Sequence, residues 1–76
     1  MNEDLEALNA EHVDEMEARA LAVIAASADA MRETAVYTDL SRSNRAVLDL
    51  EVTRIRSDAR LRFDALRVRF GLVELH

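Results

Sequence analysis

Apolar side chains return at a helical period over most of the chain. From Arg45 to Val73, Leu48, Val52, Ile55, Ala59, Phe63, Leu66, Phe70 and Val73 recur at spacings of 4, 3, 4, 4, 3, 4 and 3. Their mean of about 3.6 is the α-helical repeat, so these side chains share one face. A second row (Val47, Leu50, Leu61, Ala65, Val68, Leu72, Leu75) falls on the other side, about 120–200° from Phe63 at 100° per residue. Upstream, a stripe runs from Leu5 and Leu8 through Val13, Met16, Ala20, Val23, Ile24 and Met31 to Ala35. Glu3, Asp4, Glu11, Asp14 and Asp29 lie opposite it. This spacing is nearer eleven residues per three turns than seven per two, which predicts a nearly straight or slightly right-handed pairing.

Between the two patterns, Thr38-Asp39-Leu40-Ser41-Arg42-Ser43-Asn44 groups short polar side chains that compete for their own backbone. Asp39, Ser41 and Ser43 can each cap a following helix. The expected elements are a first helix over about 3–38, capped by Asn2, a turn at 39–43 and a second helix over about 44–70. Gly71 stands at the natural C′ position, and residues 71–76 form a docked tail. Folding about residue 41 sets residue i near 82 − i, so Met16 meets Leu66 and His12 meets Phe70. The fold class is therefore all-α, an antiparallel two-helix, coiled-coil-like hairpin. Its core joins Leu5, Leu8, Met16, Val23, Ile24 and Met31 to Leu48, Val52, Ile55, Phe63, Leu66 and Phe70. The rival is one continuous helix of nearly 70 residues, roughly 100 Å long, which pairs almost the same positions in an antiparallel dimer. A hairpin buries one seam only. The second row stays open and asks for another subunit, in a bundle or a ring.

Composition narrows the alternatives. Seventy-six residues make one domain, and a chain this short is marginal as a monomer unless reinforced. There is no cysteine, so disulfides and thiolate zinc sites are excluded. One glycine and no proline leave almost no turn chemistry for a β-fold. Seven of the thirteen residues 18–30 are alanine, which favours helix and lets a second helix approach closely. No apolar run is long enough to span a membrane, and the acidic start is unlike a signal peptide, so the expected compartment is the cytoplasm.

Charge adds polarity. Residues 1–38 hold nine acids and two arginines, whereas residues 39–76 hold six acids and eight arginines. Paired halves of opposite sign place the acidic 11–17 segment beside Arg67 and Arg69. Arg42, Arg45, Arg56, Arg60 and Arg67 project within about 60° of one another, making one basic flank on the second helix.

Candidate chemistry is sparse. Glu11, Asp14 and Glu17 have a metal-like spacing, but the second helix offers no matching acidic pair. The residue three before His12 is Asn9, so the Glu-x-x-His di-metal motif is absent. His12 reads as a half-buried seam histidine whose charge could tune assembly near pH 6.5. No nucleophile set or phosphate-cradling loop is present, and no cofactor, metal site or enzymatic activity is expected.

The leading reading is a small helical assembly or adaptor protein, acting on itself or on a helical partner. The basic flank supports a second reading, a nucleic-acid-handling oligomer. In broad architecture a short self-assembling hairpin resembles the oligomerisation hairpin of phage-type small terminase subunits, which assembles into a ring beside DNA. The resemblance rests on no motif, and it implies DNA packaging as the process. A third reading is a small acidic antitoxin that binds a basic partner.

Overall fold

A computed structural model describes residues 8–72. Three helices follow one another: α1 (Ala10–Arg32), α2 (Ala35–Thr38) and α3 (Arg42–Arg69). Among the described residues there is no strand. The described part is helical and is built on one long helix pair, α1 and α3. No described helix is long and apolar enough to cross a membrane.

The helix ends follow local side-chain chemistry. Asn9 is extended (φ −126°, ψ 172°), and its Oδ1 accepts from the His12 N–H at 2.9 Å. This cap starts α1 at Ala10, later than expected, and leaves Leu8 outside the helix. The expected first turns, with Asn2, Glu3, Asp4, Leu5 and Glu6, lie outside the described residues. So do Val73 and Leu75.

At its other end α1 stops at Arg32, short of the expected residue 38. Thr34 is the reason. Its backbone is extended (φ −81°, ψ 149°), its Oγ1 accepts from the Tyr37 N–H at 3.2 Å, and its hydroxyl donates to the Met31 carbonyl at 2.7 Å. One side chain thus satisfies a carbonyl leaving α1 and an amide entering α2. Ser41 caps α3 in the same way, accepting from the Asn44 N–H at 3.2 Å, so α3 begins at Arg42. At the far end Gly71 takes φ +67°. The Gly71 N–H donates to the Val68 carbonyl at 3.1 Å and the Leu72 N–H to the Arg67 carbonyl at 2.7 Å. That pair of bonds is a Schellman motif, and glycine supplies its left-handed residue without a Cβ penalty.

The seam between α1 and α3 is thin. Val13 (0% exposed) and Ala28 are its only fully buried members among the described residues. Ala28 belongs to the alanine tract, where small side chains let the helices approach. Ile24, Met31, Leu48, Val52, Phe63 and Leu66 are half-buried, as is Leu8. Met16, Val23, Ile55 and Phe70, expected inside the seam, stand exposed. A two-helix contact covers only the central strip of each helix, and these residues fall on its edges. Val23 and Ile55 instead flank an open apolar groove of about 230 Å³, with Ile24, Ala28, Met31 and Val52 along it.

The dimensions agree with so small a core. The radius of gyration is 17.3 Å, against about 11 Å for a compact domain of this length. The thinnest dimension is 13 Å, one helix layer.

Candidate functional site

Two polar clusters set how α1 and α3 face each other. In the first, Arg67 reaches across from α3. Its Nη2 donates to Asp14 Oδ1 at 2.7 Å and Glu17 Oε1 at 2.6 Å, while Nη1 donates to Asp64 Oδ1 at 2.9 Å. The side chain is only 14% exposed, and hydrogen bonds to Glu17 and then Asp14 raise its pKa further above the usual guanidinium range. The charge on Arg67 is therefore fully engaged within the chain.

The second cluster braces the connection. Asp49 Oδ1 accepts from Arg32 Nε at 3.1 Å and from the Tyr37 hydroxyl at 3.1 Å, so one carboxylate of α3 holds the end of α1 and α2 together. The Asp49 bond also raises the pKa of Arg32. Arg45 adds a bond from Nη1 to the Thr38 carbonyl at 3.2 Å.

These contacts redistribute the basic flank. Arg67 is held by carboxylates and Arg45 by a backbone carbonyl, leaving Arg42, Arg56 and Arg60 exposed and without an ion pair among the described residues. Arg69, expected beside the acidic segment, stacks instead over the Phe70 ring, 5.8 Å from its centroid. The described residues contain no group of three His, Cys, Asp or Glu side chains able to hold a metal. His12 is half-buried at the start of α1.

What lies open is the outer face of α3. Val47 is 62% exposed, Leu50 70%, Leu61 65% and Val68 63%, and Ala65 is exposed between the last two. They span most of the helix on the side turned away from α1. Leu72 does not extend this row, because the helix has ended and the Schellman turn folds it back half-buried. Near the middle, Arg54 Nε bonds Glu51 Oε1 at 3.0 Å and Arg54 Nη1 reaches Asp58 Oδ2 at 3.5 Å, so acids and base along α3 neutralise one another locally. Hydrogen bonding to Arg54 holds the Glu51 carboxyl below its ordinary range.

The periodicity of the sequence marks this outer row. Charge and register also place the acidic 11–17 segment beside Arg67, where Asp14 and Glu17 bond it, but they do not reveal the added bond to Asp64 or the bracing role of Asp49. No protein-family model matches the chain, and neither the curated proteins nor the solved structures include a match to it.

Proposed function

We propose that this protein is a non-enzymatic assembly module, an antiparallel helical hairpin that self-associates through the outer face of α3. The hairpin reading is supported by its cross-helix bonds. Arg67 meets Asp14 and Glu17, where the 82 − i register expects residue 15, and Asp49 meets Arg32, where it expects residue 33. The assembly reading is carried by one observation: Val47, Leu50, Leu61 and Val68 are more than half exposed, while only Val13 and Ala28 are fully buried among the described residues. Isolated exposed leucines are ordinary, but a row along one helix face marks an interaction surface.

Area supports self-association. The chain exposes 6188 Å², whereas a compact globular chain of its mass exposes about 4,700 Å². The excess of about 1,500 Å² is ample for a standard interface, which takes about 800 Å² from each partner. The nucleic-acid reading loses Arg67 to carboxylates and Arg45 to the Thr38 carbonyl, and keeps Arg42, Arg56 and Arg60. An antitoxin-like binder would keep its acidic surface free for a basic partner, but Asp14 and Glu17 are turned onto Arg67.

The test is Leu50→Ser with Leu61→Ser. This pair should reduce the light-scattering mass to one subunit while the chain keeps its helical circular dichroism. An unchanged multi-subunit mass would mean that assembly uses another surface.

A further inference from the structure

Resting on the self-association just proposed, we infer that two copies pair antiparallel, α3 against α3, about a two-fold axis passing between Ser57 and Asp58. The outer row has the symmetry this requires. With Arg54, Ser57 and Asp58, which fill the gap between Leu50 and Leu61 on the same face, the positions 47, 50, 54, 57, 58, 61, 65 and 68 read 3, 4, 3, 1, 3, 4, 3 in either direction. Pairing residue i with 115 − i lays Val47 on Val68 and Leu50 on Ala65 of the second copy, and Arg54 beside Leu61. Apolar side chains therefore meet apolar ones at both ends, twice over. At the centre the arginine stem lies on leucine while its head stays at the rim. Isologous pairing of this kind closes on itself and leaves no open edge.

Charge selects the direction. Helices packed antiparallel about a two-fold bring like flanks together, which sets Glu51 of one copy within one turn of Arg62 of the other. Arg62 is exposed and makes no ion pair among the described residues, so this contact gives it a counter-ion. The two Asp58 side chains approach near the axis, each bracketed by Arg54 of its own copy and of the other. A parallel, in-register pair would instead set Arg54 on Arg54 at the centre of the seam and turn Glu51 and Arg62 toward opposite flanks, away from one another. Like charges in such facing positions oppose pairing, whereas opposite charges set its orientation. Ser57 is small and exposed, so it lets the helices close at the axis.

In the resulting dimer α1 of each copy stays outermost, because it packs on the opposite side of α3. The product is a flat layer of four helices.

The chain has no cysteine, so single cysteines report the pairing directly. Under mild oxidation Ser57→Cys should cross-link to itself across the axis in high yield. Val47→Cys and Val68→Cys should each fail alone and form a mixed disulfide when combined. Efficient self-cross-linking of Val47→Cys would show parallel pairing and overturn the inference while leaving self-association intact. A multi-subunit mass with no Ser57→Cys cross-link would also overturn it, by moving the interface elsewhere. A single-subunit mass at every concentration would instead remove the self-association on which the inference rests.

Discussion

The two apolar faces of α3 have similar composition and different surroundings. Toward α1, Leu48, Val52, Phe63 and Leu66 are half-buried, and polar bonds from Arg67 and Asp49 pin the facing turns on either side of them. Away from α1, Val47, Leu50, Leu61 and Val68 are more than half exposed and have no cross-helix polar bonds beside them among the described residues. The hydrophobic effect acts on area and is indifferent to which face supplies it. Direction comes from the polar groups. On the inner face, acids of α1 meet a base of α3 within one chain. On the outer face, acids and bases of α3 pair along the helix and leave Arg62 over. The inner face is thus specified by contacts within the chain, whereas the outer face carries no cross-helix polar bond among the described residues.

Several substitutions separate the two faces. The largest stability effect belongs to the inner face. Val13→Ala removes the most buried side chain and should cost about 1.5–2.5 kcal/mol, a large share of the stability of so small a fold. Thermal melting followed by circular dichroism would show it, and an unchanged midpoint would mean that the seam does not hold the helices. Next comes Arg67→Gln against Arg60→Gln. The first leaves Asp14, Glu17 and Asp64 facing one another without a cation and should lower the melting midpoint clearly. The second alters an exposed arginine on the same flank and should leave it unchanged. Equal effects would contradict the assignment of Arg67 to the inner face.

Gly71→Ala should cost about 1 kcal/mol, the penalty for a Cβ in the left-handed region, since nothing crowds the added atom. Because Leu72 is folded back beyond the helix, the subunit mass should not change. A lower mass would return Leu72 to the outer row. The smallest effect is one of pH. Arg54 holds the Glu51 carboxyl below its ordinary value, so this pair stabilises the fold above about pH 4.3 and the gain is lost as pH falls through the lowered value. Glu51→Gln should flatten a slight acid-side decline in the melting midpoint. An identical decline in the variant would show that Glu51 contributes nothing. The raised pKa values of Arg67, Arg32 and Arg54 keep these groups charged throughout the accessible range, so no loss follows on the alkaline side.

Much of the helical layout was legible because strong signals carried it. Gly71 stands where the helical pattern ends, and it makes the Schellman turn. Ser41 was one of three candidate caps, and it starts α3. Asn9 and Thr34 were harder to read. A cap contributes about 1 kcal/mol, and without glycine or proline several Asn, Ser and Thr side chains compete on nearly equal terms. Tertiary contacts decide among them: Tyr37, one turn beyond Thr34, bonds Asp49 of α3. The edges of the seam were likewise hidden. A helical wheel gives the direction of Val23, Ile55 and Phe70 but not the width of the contact, and a single partner helix is too narrow to cover them. The outer row was legible as a pattern at the helical period.

Absolute mass in solution, measured by light scattering behind a sizing column across a wide concentration range, bears most directly on self-association. Two unaltered chains per particle, dissociating only on dilution, is the expected result. One chain per particle at the highest concentration would contradict it.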